Sequence, residues 1–301
     1  VMAQSSCAEA RFMPPHPDGK EGESVKVELN FRIPPASIPN QVQSRGTTVN
    51  ASKNTIFSVD YFQESYSAET RSEASTALYN LWLFQFNADG TVHGLPQVVS
   101  DQTTMVNDMA LLSATLHVGT DQTIYLVALG KKVTATGELA GVRTINDLEA
   151  MQLDYVDNRS GLYYSRITSE DDIPYAGAVR GVTVRKLNDN DDSGEIVYNT
   201  PDGFAGGIEI RRLIARITLK YKFELTNNKL EGIRLLKVPA KLLIDPSSVG
   251  TDAIEAIPMA DLESENAFND ADQDTDGFFT SQWYVAPVSF THLTLPTRRL
   301  V

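Results

Sequence analysis

The sequence predicts a mainly β protein built from β-sandwiches. Runs of alternating apolar and polar residues carry the first argument. The cleanest sets Val25, Val27, Leu29, Phe31 and Ile33 against Lys26, Glu28, Asn30 and Arg32. A period of two places one set on a buried face. Turn-forming clusters of Asn, Asp, Gly and Pro divide such runs. Helix signals are confined to 144–154, where Thr144 is an N-cap with Asp147 three residues on, and Ile145, Leu148, Met151 and Gln152 follow at imperfect helical spacing. Strand after strand with one short helix points to sandwiches rather than to a parallel α/β sheet.

The elements follow in order. Val25–Ile33 is a half-buried strand that Pro34 and Pro35 end. Thr55–Phe62 is rich in β-branched and aromatic residues and forms a second strand. Residues 63–76 are polar and read as a loop. Ala77–Phe86 is apolar on both parities, so it is central or covered on both faces. Asn87, Asp89 and Gly90 make a turn. Leu111–Val118 and Thr123–Leu129 are strands split by Gly119, Thr120 and Asp121. Further strands are expected near 179–187, 195–199, 208–225 and 233–244, with Trp283–Val288 the last. The densest turn composition lies at 188–207, and the domain boundary is placed there. The expected division is a tether at 1–21, an N-terminal sandwich at 22–187, a linker at 188–207 and a second sandwich at 208–289. The stretch 290–301 resembles translated adapter read-through. Native sequence is therefore expected to stop near Ser289, leaving the second sandwich incomplete.

The chain of 301 residues carries a net charge of −13. Non-specific nucleic-acid binding needs a basic footprint, so nucleic acid is not an expected partner. No run of apolar residues reaches the length of a membrane-spanning helix. The single cysteine, Cys7, excludes an internal disulfide or a cysteine zinc site. Ser5 and Ser6 precede it, and Pro14, Pro15 and Pro17 follow in what reads as an extended tether. Position and flanks fit a lipoprotein acceptor whose signal peptide is cut short. Diacylation there would supply the two chains that stable anchoring requires.

Catalytic signals are lacking. The four histidines show no metal-ligand spacing, and there is no His-Glu-x-x-His, Gly-x-Ser-x-Gly or phosphate-binding glycine loop. The chain is not expected to be an enzyme, nor to carry an organic cofactor. Two acidic loops resemble the start of a calcium loop. Asp272, Asp274 and Asp276 alternate before Gly277, which would turn three carboxylates towards one point, but Trp283 stands where the bidentate Glu belongs. Asp189, Asp191 and Ser193 before Gly194 are a looser copy. Calcium is the only metal these loops suggest, and a solvated acidic loop is the simpler reading. In the 208–225 run, strand parity sets Arg212, Ile214, Arg216 and Thr218 on one face and Leu213, Ala215, Ile217 and Leu219 on the core face. Arg212 and Arg216 are then the candidates for a paired exposed role.

Four stretches together resemble the fimbrillins of Bacteroidales, most nearly their surface-lipoprotein branch. Arg212, Ala215, Arg216 and Ile217 fit the strand that opens that family's second domain. Gly22–Phe31 is similar to the first strand, and Ala77–Gly90 to a strand leading into a Phe-Asn-x-x-Gly-like turn. Ile173–Gly177 stands where the family has Pro-Met-x-Gly, with Tyr175 in place of Met. The resemblance implies two transthyretin-like, Greek-key sandwiches in tandem, export to the outer membrane surface and assembly into a pilus. Subunits would join by strand exchange, a strand of one filling a groove in the next. In polymerising members an Arg-specific protease releases the first strand. Arg71, just before the Ala77 strand, is the better match for that site and Arg45 the other. The residues facing the groove would be Val25, Val27, Leu29, Phe31 and Ile33. Expected partners are other pilin subunits, the outer membrane through a lipid on Cys7, and a host or bacterial surface receptor. The leading reading is thus a structural, accessory or tip subunit of an adhesive pilus. The alternative is a lipid-anchored, non-polymerising module that binds glycan or host protein.

Overall fold

The computed structural model describes residues 20–34, 49–50, 56–60, 77–133, 135–198, 207–222, 233–245, 247–264 and 279–286. The first half runs β1 (Ser24–Arg32), β2 (Val49–Asn50), β3 (Ile56–Asp60), β4 (Ala77–Phe86), β5 (Gln97–Thr104), β6 (Met109–His117) and β7 (Gly119–Ala128). Then come helices α1 (Thr136–Ala140) and α2 (Ile145–Glu149), strands β8 (Gln152–Asp154), β9 (Val156–Arg159) and β10 (Leu162–Ser165), and a short 3-10 turn (Glu170–Asp172). The second half holds β11 (Tyr175–Lys186), β12 (Gly194–Tyr198), β13 (Ile208–Glu209), β14 (Arg211–Arg212), β15 (Ala215–Lys222), β16 (Arg234–Pro239) and β17 (Lys241–Leu243). It ends with α3 (Thr251–Glu255), β18 (Met259–Glu263) and β19 (Phe279–Val285). The protein is mainly β, as its sequence predicts.

The main sandwich has two layers. One sheet is ordered β13-β1-β6, and the other β12-β11-β7-β4-β5, with β14 also pairing β11. Strict alternation works in β1 because one face meets the core: Val25, Val27, Leu29 and Phe31 are buried while Ser24, Lys26, Glu28 and Asn30 are exposed. β4 lies between β7 and β5, and from Leu81 to Phe86 every side chain is buried. That is why its apolar residues ignore parity. Trp82, Phe84 and Phe86 form a stacked ladder along it, with ring centroids 6.3 and 6.2 Å apart. Three smaller sheets, β16-β18-β10-β9, β19-β15-β3-β2 and β17-β8, complete the described fold. Each of them joins strands that precede residue 188 to strands that follow 207.

Four local readings change. The break expected at 119–121 falls instead at Val118, where the chain crosses from the β1 sheet to the β7 sheet. Gly119–Asp121 belong to β7, with Asp121 at φ 53°. The 144–154 helix is confined to Ile145–Glu149, and residues 152–154 pair with β17 instead. Its start is as read: the Thr144 hydroxyl accepts from the Asp147 amide at 3.2 Å, and the Asp147 carboxylate accepts from the Thr144 amide at 2.8 Å. The 208–225 run is three strands rather than one. Leu213 and Ile214 form a kink with both side chains buried, and Ala215 is exposed. The expected parity therefore fails: the kink moves the chain from β11 to the sheet of β15 and resets which residues face inward. Helices α1 and α3 have no counterpart in the sequence reading.

Candidate functional site: the first strand and its flanks

β1 is the element that the sequence singles out. The alternating apolar residues of β1 and the Ile33 that follows it lie wholly in the core: Val25, Leu29 and Phe31 are 0 % exposed, Val27 2 % and Ile33 5 %. Burial of such side chains is worth about 1.5–3 kcal/mol each before ordering entropy is subtracted. Along one edge β1 pairs with β6 over its full length, from Ser24↔His117 to Arg32↔Met109.

The other edge is held at its ends. Near the start, the Lys26 amide donates to the Asp192 carbonyl at 2.6 Å, and Lys26 bridges Ser193 in parallel sense. Lys186 of β11 pairs with Glu23 at 2.5 Å. That contact holds the Glu23 carboxyl below its ordinary range and the Lys186 ammonium above its own. At the far end β13 pairs with β1 in parallel, Phe31↔Ile208 and Arg32↔Glu209. The Ile210 amide donates to the Arg32 carbonyl at 2.9 Å, and Arg32 Nε to Glu209 Oε1 at 3.0 Å.

The N-terminal end of β1 is further tied to β4 across the sandwich. Gln85, 4 % exposed, donates to the His117 carbonyl at 2.7 Å and to Gln122 at 2.8 Å, and its oxygen accepts from the His117 amide at 2.8 Å. A buried amide with its groups satisfied joins the two sheets without the cost of an orphaned dipole. His117 Nδ1 lies 3.3 Å from the Ser24 hydroxyl and 3.2 Å from the Gly22 carbonyl. The His93 ring sits 4.8 Å from that of His117. Desolvation first, then the nearby His117, pushes the His93 pKa below its ordinary value, against the opposing pull of Glu21.

Between these two ends the edge diverges from β12. The cleft so formed measures about 810 Å³ and is lined from one side by Lys26, Glu28 and Asn30 and from the other by Gly194, Ile196 and Tyr198. Antiparallel pairing alternates, so odd-numbered residues of β1 bond β6 and even-numbered ones face outward. The contacts of Lys26 with Asp192 and Ser193, just before β12, and of Arg32 with β13 follow that rule. Glu28 and Asn30 lie between them, with the Glu28 amide and carbonyl and the Asn30 amide directed at the cleft. The β11–β12 hairpin gives the matching result on the far wall. Leu187 donates to Ser193 at 2.8 Å, so Ile196 and Tyr198 turn their backbone groups away from β11.

Two stretches distant in sequence meet beside the far end of β1. Tyr175 pairs with Arg212 and Ala176 with Arg211. The segment 173–177 thereby docks directly on the start of the 208–219 segment. Gly177 explains its own presence: a Cβ there would lie 1.9 Å from the Glu209 carbonyl oxygen. Only glycine lets β11 approach β13 so closely. Arg212 and Arg216 both reach Glu170, at 3.4 and 3.2 Å, and Arg212 lies 6.0 Å from the centre of the Tyr175 ring. These arginines are engaged with a carboxylate rather than arranged around an anion.

Asp191 accepts from the Ser193 amide at 2.9 Å and from Asn188 at 3.4 Å. Its carboxyl is held below the ordinary range by Ser193, so the 188–194 loop closes on itself. Among the described residues no group of three or more His, Cys, Asp or Glu side chains converges as a metal site would. Cys7, Arg45, Arg71, Asp272, Asp274 and Asp276 lie outside the described residues. Sequence reasoning passed over Gln85, missed the role of Gly177, and read the β13–β14 segment as part of one longer strand. The glycine of the 173–177 stretch was the one available signal.

No protein-family model matches the chain, and no curated protein matches it. Among solved structures it is similar to a candidate cell adhesion protein of Bacteroides eggerthii, at 12 % identity and a TM-score of 0.41, over 90 % of this chain and 66 % of that one. It is also similar to a candidate cell adhesion protein of Parabacteroides distasonis, at 14 % identity and a TM-score of 0.45, over 90 % of this chain and 73 % of that one.

Proposed function

We propose that the protein is a structural, accessory or tip subunit of a cell-surface pilus, that it assembles by β-strand exchange, and that it serves adhesion. The observation that carries this reading is β1 itself. Its apolar face supplies Val25, Leu29 and Phe31 to the core at 0 % exposure. Its loss would leave a long hydrophobic groove beside β6, open along an unpaired strand edge, which a strand of a second subunit can fill. Donation from one subunit to the next is a heterologous contact, and such contacts build open filaments when the rotation does not close. In this reading Cys7 carries the lipid that holds the subunit at the outer membrane, and Arg71 or Arg45 is the site at which the first strand is released.

Treatment of the folded chain with an Arg-specific protease tests the maturation step. Cleavage at Arg71 is expected, followed by fibres visible by electron microscopy. N-terminal sequencing of those fibres should begin at Ser72 and find no Val25–Ile33. Fibres that retain an intact Val25–Ile33 segment would remove strand release from the account. A cleaved chain that remains a monomer would instead favour the non-polymerising surface module.

A further inference from the structure

We propose that the cleft between β1 and β12 is a docking groove for an extended, lysine- or arginine-bearing peptide segment of a partner protein, bound to the intact, uncleaved chain. This goes beyond the strand-exchange reading, because β1 stays in place and forms one wall. Two features of the cleft define its occupant. The first is backbone. Glu28 and Asn30 on one wall and Ile196 and Tyr198 on the other present main-chain donors and acceptors to the same space. Among the described residues no strand covers them. An extended segment satisfies such groups where a helix or a folded surface cannot.

The second feature is charge. The lining holds Glu28, Asp191, Asp192 and Glu195 against a single cation, Lys26. Lys26 is spent on Asp192 at 3.4 Å, and Glu195 is met by Arg185 from behind. Glu28, exposed at the centre of the wall, and Asp191 keep the groove negative. A second copy of this chain, with a net charge of −13, is repelled there, whereas a cationic segment is steered in. Leu187, 49 % exposed, and the half-buried Ile196 and Tyr198 give the same segment apolar contacts. The occupant therefore alternates basic and apolar side chains.

The test uses the full chain and two fluorescent ten-residue peptides, one alternating Lys with Val and Thr, the other identical but with Glu for Lys. Fluorescence anisotropy at low salt should show the lysine peptide binding at least tenfold more tightly than the glutamate peptide. Glu28→Lys should weaken it about tenfold. Ile196→Pro removes one amide from the cleft wall while sparing the β11 pairing, and should weaken it similarly. Glu138→Lys, on α1, should leave it unchanged. Hydrogen exchange should show peptide-induced protection at Glu28, Asn30 and Ile196. Equal binding of the two peptides, indifference to both cleft variants, or protection elsewhere in the chain would each overturn the proposal. So would light scattering that shows the chain pairing with itself through this edge.

Discussion

Replacing Phe31 with alanine should destabilise the protein by about 3–5 kcal/mol, the range for truncating a fully buried aromatic side chain. Phe31 is 0 % exposed and stands where β1 is paired on both edges, with Ala110 of β6 and Ile208 of β13. The resulting hole cannot relax easily, because both neighbouring strands are fixed by their own registers. Glu28→Ala, three residues away on the exposed face, should change stability by no more than about 0.5 kcal/mol. Urea unfolding of the two variants checks the contrast. Similar midpoints for both would mean that the apolar face of β1 does not bear on the core.

Gly177→Ala should be nearly as damaging, although it adds only a methyl group. The new Cβ would meet the Glu209 carbonyl oxygen at 1.9 Å, an impossible distance, and the obstruction is backbone rather than a side chain that can rotate away. β11 and β13 must separate, at a cost of about 3 kcal/mol, the upper part of the range for overpacking. The damage should spread to β1, because β13 pairs with its last residues. Hydrogen exchange of Gly177→Ala is expected to show lost protection at Ile210 and Arg32. Unchanged protection there would mean that the close approach is not what docks β13 on β1.

Much of this was legible in the sequence, and the reason differs by element. β1 could be read because a strand with one buried face writes its environment as strict alternation. β4 could be read because a strand buried on both faces loses that alternation. The Thr144–Asp147 capping box could be read because it is local chemistry. What escaped was non-local. β13 and β14 are two residues each, too short to show a period, and the Arg32–Glu209 contact spans 177 residues. No Gly or Pro marks the kink at Leu213–Ile214, so parity carried through it gave the wrong faces. The cleft is invisible to any window of sequence, because it arises where two remote strands diverge. Gly177 sat in a stretch already singled out, yet its role depends on a carbonyl contributed from Glu209.

The central claim is that β1 seals a groove that another strand can fill. Its most direct measurement is the oligomeric state of a chain beginning at Ser72, followed by size-exclusion chromatography with light scattering, with and without a peptide of residues 24–33. Without the peptide the chain should aggregate or oligomerise, since the core face once covered by Val25, Val27, Leu29, Phe31 and Ile33 is left open. With the peptide in excess it should return to a soluble monomer. A chain that stays monomeric without the peptide, and melts at the same temperature as the full protein, would contradict the account.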